Sequence, residues 1–125
     1  MESERLRLSE SEWRVMEALW EAPATLMELV RILHNRVGWA KSTVTTMVRR
    51  MEEKGLIRHE EEGRTKRFYP AVAREAVAAA ETDTLHSRVY HGSVNLLVSH
   101  LLERQRLSQA DLDALYALLE EKKEE

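Results

Sequence analysis

The apolar residues near the N-terminus repeat at helical spacing in two segments, and each segment begins with a capping signal. Ser9 is followed three residues later by Glu12, and Thr25 by Glu28, which is the spacing of a capping box. A proline at position 23 separates the two segments. The pattern therefore predicts two consecutive helices, the second extending to about residue 36.

A third segment, from Lys41 to Gly55, has one apolar and one polar face. Positions i, i+3, i+4 and i+7 are apolar: Val44, Met47, Val48 and Met51. Hydroxyl and guanidinium groups lie toward the other side: Thr43, Thr46, Arg49 and Arg50. This face suits a nucleic-acid groove, because Thr meets base edges or phosphates and Arg reaches phosphate oxygens or guanine. An ordinary solvated helix face is the alternative interpretation.

The apolar period changes after residue 55. Residues 56–70 predict two short strands around a turn at Glu61 to Arg64, with Gly63 able to adopt a positive φ. Basic residues lie at or just after the tip of this hairpin: Arg64, Lys66 and Arg67. The hairpin resembles the wing of a winged helix, which lies along the DNA backbone. Alternatively, charges on an edge strand simply discourage aggregation.

The C-terminal part has a different composition and predicts three helices. The first is rich in Ala and runs from about Ala73 to Tyr90, and Gly92 follows as a break. The next two are amphipathic, and Ser108 and Asp111 have capping-box spacing before the last one. So short a helical region buries its own leucines poorly, which favours a homodimer. The predicted interface comprises Leu85, Val89, Leu97, Val98, Leu101, Leu112, Leu115 and Leu119. Packing back onto the N-terminal part as ordinary core is the alternative.

The composition fits one small globular protein of 125 residues, with 43% hydrophobic and 33% charged residues. The chain has no Cys, which is compatible with a reducing cytoplasm and excludes thiolate metal ligands and thiol nucleophiles. The N-terminus has no secretion signal, and no apolar run approaches the length of a membrane span. Secretion and membrane insertion are therefore both disfavoured, and the composition is compatible with a cytoplasmic protein.

The net charge of −3 is unevenly distributed. Residues 1–72 hold 13 Lys and Arg against 12 Asp and Glu, whereas residues 73–125 hold 6 against 10. Within residues 41–67 the basic residues number 8 and the acidic residues 5. The positive charge is thus concentrated where groove binding requires it.

The sequence gives little support to metal binding or catalysis. His86 and His91 are five residues apart, off the i, i+4 face that a helical pair of ligands needs. The other histidines lie in separate elements, and no phosphate loop, nucleophile elbow or His-Glu-x-x-His motif is present. Neither a cofactor, a metal site nor an enzymatic activity is predicted.

Several motifs together resemble the BlaI/MecI/CopY family of bacterial transcriptional repressors. They are Leu8-Ser9-Glu10-Ser11-Glu12-Trp13-Arg14-Val15-Met16 with Leu19-Trp20, Trp39, Ser42-Thr43-Val44-Thr45-Thr46, Arg50-Met51, Lys54-Gly55, Gly63-Arg64, Tyr69-Pro70 and Gly92-Ser93 with Leu97-Val98. The resemblance extends from Leu8 to about Leu119 and keeps the family's order and spacing.

The resemblance implies a mainly α protein with a small β hairpin. Residues 1–72 would form an N-terminal winged helix-turn-helix domain and residues 73–125 a C-terminal helical dimerisation region. The homodimer would bind a palindromic, double-stranded operator and repress its target. Carried over by position, the DNA-facing residues are Ser42, Thr43, Thr45, Thr46 and Arg50, with Arg49 beside them and the wing residues Arg64, Lys66 and Arg67 on phosphate.

The resemblance also implies a mode of release. In β-lactam-responsive members, a membrane sensor system leads to cleavage in the dimerisation helix, and the matching bond here is His100 to Leu101. Two functional classes remain open from the sequence. One is a DNA-binding repressor, and the other is a winged-helix module that uses its third helix and wing for protein contacts without sequence-specific DNA binding.

Overall fold

A computed structural model describes residues 2–104 and 107–125 of the chain. The chain divides into two compact units, one ending at Asp83 and the other beginning at Thr84. The elements of the first unit are α1 (Glu2–Arg5), α2 (Glu10–Glu21), β1 (Ala24–Thr25), α3 (Leu26–Val37), α4 (Lys41–Lys54), β2 (Ile57–Glu62), β3 (Thr65–Pro70) and α5 (Arg74–Thr84), whose last residue starts the second unit.

The predicted caps of the first two long helices are confirmed. The Ser9 hydroxyl accepts the backbone N–H of Glu12 at 3.2 Å, and the Glu12 carboxylate accepts that of Ser9 at 2.8 Å. Thr25 and Glu28 form the same reciprocal pair at the start of α3. Each box satisfies two amide groups that the first turn of a helix leaves without a partner.

The N-terminal core is made by the apolar faces of α2, α3 and α4 together with the sheet. Its fully buried side chains include Met16, Leu19, Leu29, Leu33 and Met51. Val77 on α5 belongs to the same core and is 0% exposed. The N-terminal unit therefore includes most of α5 and ends at Asp83, whereas the resemblance implied a DNA-binding domain of residues 1–72.

The sheet has three strands rather than the two that the sequence predicted. β2 and β3 form the expected antiparallel hairpin, with Glu62 opposite Thr65 and Gly63 at a φ of +63° in the turn. β1 pairs with the other edge of β3, with Ala24 opposite Phe68 and Thr25 opposite Arg67. A two-residue strand is too short to show an alternating pattern, which is why the sequence did not reveal it.

The C-terminal unit is helical, and its described helices bury no residue. A π-helix (Leu85–Val89) follows α5, then come α6 (Val94–Arg104) and α7 (Gln109–Lys123). The π-helix replaces the last turns of the predicted α-helix, and its change of hydrogen-bonding pattern has no local sequence signature. Gly92 ends this segment at a φ of +83°, and the predicted capping box of Ser108 and Asp111 is present. No residue of α6 or α7 is buried.

Candidate nucleic-acid interface

Helix α4 is oriented by its apolar face. Val44, Val48 and Met51 are buried in the core, so the opposite side of the helix is exposed to solvent. Gly38, at a φ of +73°, caps the end of α3 by donating its N–H to the carbonyl of His34 at 2.9 Å. A three-residue turn, residues 38–40, then leads directly into α4. The two helices and this turn form the predicted helix-turn-helix.

The outer face of α4 carries a shallow depression that collects the predicted hydroxyl and guanidinium groups. It is lined by Ser42, Thr43, Thr46, Met47 and Arg50. Ser42, Thr43 and Arg50 are exposed, and Thr46 is half-buried. Hydroxyl donors and acceptors beside a guanidinium fork can hydrogen-bond to base edges or phosphate oxygens.

A second depression, a cleft, lies on the other side of α4, between this helix, the start of α3 and the wing. The cleft brings four further predicted residues together: Thr45, Arg49, Arg64 and Lys66. Its apolar lining comes from Leu26, Met27, Val48 and Phe68. Met27 is 53% exposed and was not predicted, because the sequence alone does not distinguish an exposed apolar residue beside the core face of α3 from a residue of the core. The Thr45 hydroxyl donates to the carbonyl of Lys41 at 2.9 Å, so its methyl group is the part left for outside contacts.

Four basic side chains on this surface have no ion-pair partner within the described residues. They are Arg49, Arg50, Arg64 and Lys66. Some other cations of the unit are paired, as Lys54 is with Glu12 at 3.1 Å and Arg36 with Glu21 at 2.7 Å, whereas Lys41 and Arg74 also have no ion pair within the described residues. Unpaired cations concentrated on one face produce the positive potential that a polyanion requires.

Arg67 differs from the other predicted wing cations because it is surrounded by acceptors. Its Nε and Nη2 donate to the Glu62 carboxylate at 2.5 and 3.2 Å, and its Nη1 donates to Glu28 at 3.3 Å. The hydrogen bond from Arg67 lowers the pKa of Glu62 and in turn raises the pKa of Arg67. The pKa of Glu28 is also lowered, first by the hydrogen bond from the Thr25 amide.

His59 links the wing to α4, a contact that the sequence did not predict. Its Nδ1 hydrogen-bonds to the carboxylate of Glu52 on α4. Its ring also packs edge-on against Phe68, with centroids 5.8 Å apart. The seven-residue separation crosses from a helix to a strand, so no helical or strand periodicity could have indicated it. The pair fixes β2 relative to the C-terminal half of α4.

The predicted dimerisation residues are largely exposed within the single chain. Leu97 and Leu112 are half-buried, and the others are exposed: Leu85, Val89, Val98, Leu101, Leu115 and Leu119. Val94, Tyr116 and Leu118 add to this apolar surface, and Leu119 is 61% exposed. A monomeric protein rarely leaves so much apolar surface in contact with water.

His100 and Leu101 lie within α6, where both are exposed. His100 Nδ1 is 3.1 Å from the Tyr90 hydroxyl, and the two rings meet edge-on with centroids 5.3 Å apart. Among the described residues, no group of three or more His, Cys, Asp or Glu side chains could hold a metal ion. In the same part of the chain, no helix has the length and apolar character to cross a membrane.

Comparison with known proteins places this architecture among repressors. Residues 8–121 match the family model described as penicillinase repressor. A penicillinase repressor of Bacillus licheniformis is 29% identical over 118 residues, which covers 94% of this chain and 92% of that protein. The methicillin resistance regulatory protein MecI of Staphylococcus aureus is 24% identical over 123 residues, covering 98% and 100%. The transcriptional regulator BlaI of Mycobacterium tuberculosis is 32% identical over 108 residues, covering 84% and 78%.

A solved structure agrees with the winged-helix fold. The solution structure of the DNA-binding domain of the repressor BlaI matches with a TM-score of 0.51 and 28% identity, covering 54% of this chain and 83% of that domain. The family match spans most of the chain, and the relatives are named as repressors. The chain therefore belongs to the penicillinase repressor family, the BlaI/MecI family of winged-helix, DNA-binding transcriptional repressors, which are not enzymes.

Proposed function

We propose that this repressor binds a palindromic operator as a homodimer, with α4 in the major groove and the wing on the phosphate backbone. One observation carries the proposal. The surface that joins the outer face of α4 to the wing tip contains four basic side chains without ion-pair partners in the described chain, together with four hydroxyl-bearing residues of α4. The family match supports the class of protein, and the composition of this surface supports the proposed place of contact.

The outer face of α4 has the groups for direct contact with bases. Arg50 and Thr46 line the same depression, one turn apart along the helix, so both can reach the edges of neighbouring base pairs. Ser42 and Thr43 lie one turn nearer the N-terminus, where Ala40 provides no side-chain cap. The amide groups of that first turn add donors for a phosphate.

The wing has the groups for sequence-independent contact. Arg64 lies in the hairpin turn, Lys66 is an exposed residue of β3, and both line the cleft beside α4. Cations at these positions can contact the phosphate groups of the DNA backbone beside the groove in which α4 is proposed to lie. Such contacts hold the protein in register without reading sequence.

The partner that best fits the apolar surface of α6 and α7 is a second copy of this chain. These helices bury no residue of their own, and their exposed Leu and Val side chains need a partner of similar character. A two-fold dimer presents two copies of α4 to DNA, which matches the two half-sites of a palindrome. The predicted homodimer thus combines the two units into one operator-binding function.

Relief of repression by proteolysis at His100–Leu101, through a membrane sensor system, stays a prediction from the resemblance. Its structural support is the exposure of both residues. The bond lies inside α6 and not in a loop, so a protease needs this helix to open before cutting.

The proposed operator binding can be tested by titrating the DNA upstream of the protein's own gene with the protein. Electrophoretic mobility shift then measures the affinity across a series of salt concentrations. An operator-binding dimer should prefer pseudo-symmetric half-sites about one helical turn apart and lose affinity steeply with salt. The second candidate, a winged-helix module for protein contacts alone, predicts no preference over unrelated DNA. Footprinting then locates the operator.

Arg50→Ala is expected to weaken operator binding by about 1 to 3 kcal/mol, because Arg50 lies on the outer face of α4, which the proposal sets against the base edges. The loss should be larger on the operator than on unrelated DNA, and specificity should relax at the contacted base pair. Titration of operator variants changed one base pair at a time checks this. An equal loss on all sequences would mean that Arg50 contacts phosphate only.

Lys66→Ala is expected to weaken binding to all DNA sequences alike and to lower the slope of log affinity against log salt by about 1. The reason is that a phosphate contact releases about one counterion and carries no sequence information. The matched control is Lys122→Ala near the end of α7, which removes the same charge outside the proposed surface. A slope equally altered by both substitutions would contradict the assignment.

A further inference from the structure

We propose that Arg67 is a positioning residue that holds the wing against the start of α3, and that it makes no phosphate contact. The effect on DNA rests on the operator binding proposed above, whereas the effect on the wing itself does not. Arg67 lies on β3, the central strand, opposite Thr25 of β1 on one side and Glu60 of β2 on the other. Of the three predicted wing cations, it is the one that lies in register with β1.

The guanidinium of Arg67 joins three separate segments of the chain. Nε and Nη2 form a fork onto the Glu62 carboxylate at the end of β2. Nη1 donates to the carboxylate of Glu28 at 3.3 Å and to the carbonyl of Pro23 at 3.4 Å. These contacts connect the far end of the wing with the residue before β1 and with the first turn of α3.

Glu28 is fixed independently of Arg67. Its Oε1 accepts the Thr25 amide at 2.8 Å in the capping box of α3, and the same oxygen accepts the hydrogen bond from Arg67. The carboxylate is thus already held by the helix when the wing docks. A preset acceptor of this kind reduces the entropy lost when the wing adopts one orientation.

The hydrogen-bonding capacity of Arg67 is nearly used up by these partners. A guanidinium has five N–H donors, and the structure shows four hydrogen bonds from Arg67 to protein oxygens. Its side chain is 28% exposed. A phosphate approaching Arg67 would meet two carboxylates, whose charges repel it. Arg64 and Lys66 have no such partner within the described residues, and they are the cations left for the DNA backbone.

The wing contacts of Arg64 and Lys66 therefore depend on Arg67. A two-stranded hairpin by itself is only marginally stable, and the tip extends beyond the pairing of β1 with β3. The clamp formed by Glu28, Arg67 and Glu62 fixes the orientation in which the tip is presented. When the clamp is lost, Arg64 and Lys66 are still present, but the wing no longer holds them at a fixed position relative to α4.

A double-mutant cycle on the full-length protein tests the proposal with the upstream DNA as probe. Arg67→Met and Glu28→Gln are each expected to weaken operator binding about three- to tenfold. Glu28→Gln is informative because Gln also forms a capping box, so the cap remains while the ion pair is lost.

Lys66→Ala should cost clearly less affinity in the Arg67→Met background than in the wild type. A role of Arg67 in stability alone would leave the cost of Lys66→Ala unchanged.

The opposite pattern overturns the proposal. If Arg67 contacts phosphate, Glu28→Gln removes a repelling charge and leaves binding unchanged or tighter, and Lys66→Ala costs the same in both backgrounds.

Hydrogen exchange of the free protein gives a test without DNA. Residues 57–70 should exchange faster in Arg67→Met and Glu28→Gln than in the wild type, and unchanged exchange in both also overturns the clamp. A wild-type protein that binds no DNA would refute the proposed function while the exchange result still decides the role of Arg67.

Discussion

Replacing both Leu112 and Leu115 with Lys is expected to abolish the proposed homodimer and to weaken operator binding roughly 100-fold or more. Both side chains lie on the apolar face of α7, where Leu115 is exposed and Leu112 half-buried within the single chain. Two charges on each copy would have to be desolvated in the proposed interface. Without the dimer, the second half-site is no longer held at a high effective concentration.

The N-terminal unit should keep its fold in this variant, because its core ends at Val77 and includes no residue of α6 or α7. Light scattering measures the mass, circular dichroism the helix content, and operator titration the affinity. The matched control is Ala110→Lys with Ala117→Lys, which adds the same charge to the polar side of α7. Retained dimers in the Leu112 and Leu115 variant would place the interface elsewhere.

Met51→Ala is expected to lower the free energy of unfolding of the N-terminal unit by about 2 to 5 kcal/mol. Met51 is 0% exposed and joins the inner face of α4 to the core of α2 and α3. Truncation removes buried methylene and thioether contacts and leaves a cavity that rigid helix packing closes only in part. Because α4 is the proposed recognition helix, operator affinity should fall as well.

Met47→Ala is the matched control, since the same substitution is made one turn earlier on the same helix at a half-buried position. Its cost should be roughly 1 kcal/mol. Urea denaturation followed by Trp fluorescence measures both values, and all three Trp residues report on the N-terminal unit. If both variants lowered the free energy of unfolding by the same amount, Met51 would be packed no more tightly than the half-buried Met47.

The elements that could be predicted from sequence are those specified by neighbouring residues. The capping boxes at Ser9, Thr25 and Ser108 join residues three apart, and the buried face of α4 follows from spacing along one helix. The turn at Gly63 needs only a residue that tolerates a positive φ. Local chemistry decides each of these features, so the sequence contains enough to predict them.

Features that depend on distant residues were not predictable in the same way. Arg67 and Glu28 are 39 positions apart, and nothing in either neighbourhood indicates that they meet. β1 becomes a strand only because β3 lies beside it. The π-helix after α5 replaces an expected α-helical turn without any proline or glycine inside it. These contacts arise from the arrangement of complete elements, which periodicity does not encode.

The structure shows where the predicted site residues lie, and the sequence did not predict that arrangement. Ser42, Thr43, Thr46 and Arg50 share one depression, whereas Thr45 and Arg49 join Arg64 and Lys66 in the cleft on the other side of α4. The sequence placed the α4 residues on a single polar face, because a helical projection contains no neighbouring element. Of these α4 residues, the wing and the start of α3 lie beside Thr45 and Arg49 only, and the other depression is lined by α4 alone.

The absence of buried residues in α6 and α7 also bears on how long the protein persists in a cell. In the proposed dimer these helices take their core from the partner, so folding and assembly become one equilibrium that depends on protomer concentration. A chain at low concentration spends more time with α6 and α7 open, and open segments are what cellular proteases degrade. At low concentration the repressor would then have a shorter lifetime, and the leucines of the proposed interface would set how steeply that lifetime falls.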